Sequence, residues 1–189
     1  MDTKTITGLG LMTALVVVLQ LISNYVQIGP VSINLAIIPI VIGSIIYGPL
    51  CGLLLGMVDG ALILSAPSTA FFLGYNVWAT VFLCLMKTGI AGLVSGFIPK
   101  IIKNDKVAVV VCSVLVPIIN TGLFVLGCLA FFMPLVSEAL GVMHVGDILV
   151  ILVGVNFFIE FGVLVVLSPT IYYIYKIIKK KYLQKKELE

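Results

Sequence analysis

The chain has 189 residues, 61% of them hydrophobic and 10% charged, with a mean hydropathy of +1.28. Water-soluble domains carry about 25% charged residues, so a soluble globule is excluded, and residues 1–189 read as one integral-membrane domain. Eleven lysines, no arginine and eight carboxylates give a net charge of +3, a balance that does not point to nucleic acid.

Apolar runs long enough to approach a bilayer span predict a first helix at roughly 5–23. Its start carries one lysine, Lys4, and no small-residue cleavage site follows, so it reads as a retained span and not a signal peptide. Gly10-x-x-x-Ala14 makes a flat strip on it, suited either to packing inside the bundle or to docking another helix. Second and third helices are predicted at roughly 33–47 and 49–65, parted by the tight turn Tyr47-Gly48-Pro49 with Pro49 in the first turn of the new helix. The stretch "SAPSTAFFLGYN" (65–76) reads as a loop, followed by helices at roughly 76–99, 107–133 and 147–175 and a basic tail, 176–189. Between the last two helices, residues 134–146 are polar enough to leave the bilayer.

Six crossings put both termini on one side. Lys4, the Lys100–Lys103–Lys106 loop and the six lysines from Lys176 to Lys186 all fall there, and the intervening loops 24–32, 65–76 and 134–146 hold no lysine. Short basic loops mark the cytoplasmic face. The expected fold is therefore all-α: a six-helix transmembrane bundle with cytoplasmic N and C termini in the cell membrane, its outer surface against lipid.

Cys51, Cys84, Cys112 and Cys128 lie singly in apolar segments and read as small buried hydrophobes. His144, the only histidine, has no second ligand near it, so no metal site is expected. There is no GxxxxGK[ST], HExxH or GxSxG. Nothing suggests an enzyme or a cofactor, and uphill work would have to come from a partner or an ion gradient.

Ionisable groups inside a membrane are costly and face a partner or a cavity. Three are expected there: Asp59, Lys87 and Glu160. At 1.5 Å per residue, Lys87 lies roughly 16 Å and Glu160 about 20 Å below the outer starts of their helices, so the two can meet near mid-depth. Asn76, Thr80 and Lys87 share a helix face, as do Asn156 and Glu160, and Asn120 follows Pro117 by three residues. These residues outline either an ion-paired lock for the bundle or a small-molecule pocket floored by Lys87 and Glu160. Tyr75 and Asn76 stand at its expected mouth, Trp78 reads as an interface anchor, and Asp59 is a further candidate.

"INLAIIPIVIGSIIYGPLCGLLLGMVDGALIL" (33–64) resembles the second and third helices of substrate-binding S components of energy-coupling factor transporters, through Pro39, Tyr47-Gly48-Pro49, Gly52, Gly56 and Asp59. That resemblance implies a subunit that binds a vitamin from outside and docks on a membrane T component driven by two ATPase subunits. It implies docking through the small residues Gly10 and Ala14, which Val18 continues with a larger side chain, and a pocket in the outer halves of the last three helices and nearby loops. The segments 119–132 and 154–169 resemble a pantothenate branch, with Lys87 suited to that carboxylate and asparagines to its hydroxyls and amide; riboflavin stands second on the aromatics near the mouth, and folate and others stay open. The competing reading is a self-sufficient ion-coupled transporter or channel using Asp59, Lys87 and Glu160 as a relay.

Overall fold

A computed structural model describes residues 3–25, 27–28, 31–32, 34–141 and 145–186, with side chains described for 5–25, 34–138, 141 and 157–180. The elements run α1 (Thr3–Ser23), β1 (Gln27–Ile28), β2 (Val31–Ser32), α2 (Ile37–Tyr47), α3 (Pro49–Ile63), α4 (Pro67–Tyr75), α5 (Val77–Ile101), α6 (Asp105–Phe131), α7 (Met133–Leu140) and α8 (Val145–Lys186). The strands form a small antiparallel ladder, Gln27 opposite Ser32 and Ile28 opposite Val31.

Backbone chemistry explains the tightest joint. Gly48 has φ +96, a conformation that L side chains rarely adopt, and its N–H bonds Ser44 O at 2.9 Å; Pro49 then opens α3. The two helices reverse there with no intervening loop. Along α3, glycines recur every fourth residue on the face toward α5. A Cβ at Gly52 would strike the Gly92 carbonyl, one at Gly56 the Thr88 carbonyl and one at Gly60 the Cys84 carbonyl. Gly96 in turn meets the backbone at Pro49. The two helices therefore pack backbone to backbone, an approach open only to small residues. Thr88 Oγ1 lies 2.6 Å from the Gly56 carbonyl, and the hydroxyls of Ser44 and Ser95 bond each other across the α2–α5 contact. Around this seam a core gathers Met12, Val16, Ile40, Val41, Leu55, Val109, Val116, Leu164 and Ile171. At the far end of the bundle, Lys179 Nζ bonds both Asp105 oxygens at 2.9 and 2.8 Å, and Tyr175 OH donates to the same carboxylate at 3.0 Å, tying α8 to the start of α6.

Several boundaries differ from expectation. The second helix starts at Ile37 instead of about residue 33; ahead of it Asn34 and Leu35 donate their backbone N–H groups to Glu160 and Ser23. The supposed loop 65–76 contains α4, begun by Pro67 after an extended Ala66 and bent 82° from α3. Residues 134–146 likewise include most of α7, which ends at the left-handed Gly141 (φ +63). The last helix runs 42 residues to Lys186, well past the expected end near 175, since the Lys-rich segment is a good helix former.

Six full spans are not what the described residues contain. Four helices (within α1, α5, α6 and α8) are long and apolar enough to cross a membrane, and a fifth span results if the bent α3–α4 pair counts as one. At 11 residues α2 is about 16 Å long, roughly half a hydrocarbon core. The outward sides of these helices are apolar: Ile6, Leu11, Leu15, Val18, Leu21 and Ile22 on α1 are all exposed, as a lipid-facing surface requires.

Candidate functional site

The cavity lies at the end of the bundle opposite the Asp105–Lys179 tie. It has a volume of about 800 Å³ including the open space at its mouth. Its walls come from α1 (Gln20), the segment before α2 (Asn34), the end of α3 (Ile63), α4 (Ser68, Thr69, Phe72), α5 (Thr80, Leu83, Cys84, Lys87), α6 (Asn120, Thr121, Phe124), Phe132 just beyond α6, and α8 (Phe157, Glu160).

Its polar side is organised by Asn34. The Asn34 N–H donates to Glu160 Oε1 at 2.8 Å, and its side-chain Nδ2 donates to Asp59 Oδ2 at 2.8 Å. One residue thus links two carboxylates from α3 and α8, both buried (Asp59 0% exposed, Glu160 7%). The amide orientation follows from charge, since the NH₂ must face a carboxylate. That leaves Asn34 Oδ1 with no donor, and Gln20 Oε1, Asp59 Oδ1 and Asn120 Oδ1 are likewise unpartnered among the described residues. Buried acceptors are rarely left so. Gln20 is itself fixed by donating Nε2–H to Asn24 Oδ1 at 2.8 Å, and Ser23 Oγ holds the chain beyond Asn34 by accepting the Leu35 N–H.

The opposite side is aromatic. Phe72 packs edge-on against Phe124 (5.8 Å between ring centroids) and Phe132 (5.2 Å). Lys87 Nζ lies 4.9 Å from the Phe124 centroid, over the ring. A cation in that position is held by the negative face of the π-system.

The expected site residues divide accordingly. Thr80, Lys87, Asn120 and Glu160 come together on the cavity wall. Thr80 Oγ1 is engaged by the Asn76 carbonyl at 2.7 Å. Asp59 lies outside the lining and reaches it through Asn34. Tyr75 is also outside, its ring 6.0 Å from Phe132. Asn76 is a helix cap instead of a pocket residue: Oδ1 accepts the Ala79 N–H at 3.1 Å, satisfying the free end of α5. The side chain of Asn156 and all of His144 lie outside the described residues. The expected Lys87–Glu160 ion pair does not form; among the described residues the ion pair seen is Lys179–Asp105. Asn34, Gln20 and the phenylalanine wall escaped the sequence reading. The Asn34 signal was a polar residue at the mouth of an apolar helix, which reads equally as an ordinary cap. Gly10 and Ala14 lie exposed on α1, with nothing near the place a Gly10 Cβ would take, so packing inside the bundle does not account for them.

Among known families, the description "thiamine transporter protein" (Thia_YuaJ) matches residues 6–148. The chain belongs to this family. It is an S-component family of energy-coupling factor vitamin transporters, and the chain is a multi-pass protein of the plasma membrane. No curated protein and no solved structure matches. The family match does not support pantothenate or riboflavin. Lys87 shares its cavity with Glu160 and three unpartnered amide oxygens, a poor setting for the carboxylate of pantothenate.

Proposed function

We propose that this S component binds thiamine in the Asn34–Glu160 cavity. Thiamine combines a permanently charged thiazolium with an aminopyrimidine carrying N–H donors. The observation that carries the reading is the pairing of Glu160 and the unpartnered amide oxygens of Gln20, Asn34 and Asn120 with a phenylalanine wall. Carboxylates and aromatic faces attract a cation, acceptors take the amino protons, and the rings stack on the flat heterocycles. Lys87, Thr80 and Asn120 belong to this site, with Asp59 supporting it through Asn34.

The cavity opens outward in this reading. Lys100, Lys103, Lys106 and the α8 lysines lie at the opposite ends of the same helices, which supports a cytoplasmic location for that end and for both termini. In this reading the chain passes between the two ends six times, with α2 and α3 as short passes. The exposed Gly10–Ala14 strip is the docking face for a T component working with two ATPase subunits.

Titration calorimetry on the purified chain tests the ligand. Thiamine should bind below about 1 μM, the strength of roughly 8 kcal/mol. Glu160→Gln keeps an oxygen for the Asn34 N–H and removes the charge. It should weaken thiamine at least about tenfold, as loss of a charge-assisted contact of about 1.5–3 kcal/mol requires. Unchanged affinity in that variant removes Glu160 from the site, and no binding by the wild type removes the reading. Liposomes should need ATP and partner subunits for uptake; gradient-driven uptake by this chain alone would instead establish an ion-coupled transporter.

A further inference from the structure

The ammonium of Lys87 sits where a cationic ligand would gain most. It lies over Phe124, in a group of rings completed by Phe72 and Phe132, on the wall of the same cavity that holds Glu160. Among the described residues Glu160 and Asp59 attract it only from beyond ion-pair distance. Glu160 Oε1 and Asp59 Oδ2 are both engaged by Asn34, and neither carboxylate forms an ion pair with Lys87 among the described residues. The aromatic face is therefore taken by a side chain, and two cations cannot share it: like charges a few ångströms apart repel strongly where water is scarce.

Resting on the thiamine reading, we propose that Lys87 is a tethered competitor for the cation site, a residue that lowers affinity for a positively charged ligand and sets its release. A ligand cation takes the Phe124 face only when the lysine swings off it, which its flexible four-carbon stem allows. The returning ammonium then displaces the ligand cation, so the lysine favours unloading as much as it opposes loading. This role differs from that of a ligand contact, which would strengthen binding, and from that of a structural lock, which would need a carboxylate at ion-pair distance, and among the described residues Lys87 has none.

The two alternatives separate on the sign of one substitution. Affinities of thiamine and of its neutral analogue, in which a thiophene replaces the thiazolium, are to be measured by calorimetry for wild type, Lys87→Met and Lys87→Arg. Lys87→Met should bind thiamine about tenfold more tightly, the scale of a released cation–π site, with little change for the neutral analogue. Lys87→Arg keeps a cation on the ring and should stay near wild type for both. Weaker or unchanged thiamine binding by a folded Lys87→Met overturns the proposal, and so does an equal gain for both ligands, which would report relief of crowding. If Lys87→Met does not fold, Lys87→Gln carries the same expectation. Wild-type protein that binds neither ligand overturns the thiamine reading itself, a result distinct from all of these.

Discussion

Helix α5 presents two unlike faces. Toward α3 it offers Cys84, Thr88, Gly92 and Gly96, and the two backbones meet so closely that carbonyls stand where a side chain would begin. Toward α6 and α8 it offers Thr80, Leu83 and Lys87 and leaves a cavity. Even a glycine on that side behaves differently: a Cβ at Gly127 would meet the flexible end of Leu83 instead of backbone. The α3 face can neither expand nor slide without breaking contacts, whereas the other can yield to a ligand. A membrane supplies little hydrophobic drive between helices, so close packing must hold the first face and polar links must position the second. An importer subunit needs both, a rigid half to carry the site and an adaptable half to admit the ligand.

The sharpest way to break the comparison is to fill the seam. Gly56→Leu drives a side chain into the Thr88 carbonyl and the Gly89 backbone, neither of which can turn aside. Overpacking costs about 1–3 kcal/mol where side chains can adjust, and here the backbone must separate, so the loss should exceed about 3 kcal/mol. The expected result is a collapse of the monodisperse peak in detergent chromatography. A variant that keeps wild-type thermal stability would mean the two helices are not in backbone contact.

On the other face, the corresponding test removes a link instead of adding bulk. Asn34→Ala keeps the backbone N–H on Glu160 but deprives Asp59 of its side-chain donor. A buried acceptor left unsatisfied costs about 1–3 kcal/mol, and the melting temperature should fall accordingly. Thiamine affinity should fall with it, because the segment carrying both Asn34 contacts loses its anchor to α3. Loss of stability with binding intact would place Asn34 in the scaffold alone.

What was legible in the sequence follows the same division. Glycine at four-residue spacing, the Tyr47-Gly48-Pro49 turn and long apolar runs are local signals, and they announce close-packed membrane helices. Lys87 and Glu160 stood out for the same reason, as charges in apolar surroundings. Asn34 was hidden because its importance comes from a partner 126 residues away. The Lys87–Glu160 pair was expected because depth along two helices can be counted from sequence, but rotation about their axes cannot. The bend that makes α4 also had no distinctive signal, since "SAP" reads equally well as a loop. Ligand identity was the least accessible: one lysine suggested an anion, and only the assembled cavity sets that lysine against a carboxylate and unpaired amide oxygens.

The gentlest perturbation separates the two forces within the seam itself. Thr88 Oγ1 bonds the Gly56 carbonyl across α3 and α5, at the point where the backbones are nearest. Thr88→Val preserves the shape and β-branching and deletes the hydroxyl. Interhelical hydrogen bonds in membranes average about 0.6 kcal/mol, so the melting temperature should drop slightly, and thiamine affinity should hold because Thr88 is not on the cavity wall. If Thr88→Val were instead as damaging as Gly56→Leu, the hydrogen bond would be what brings the helices together, and the glycines would merely permit an approach that the polar contact drives.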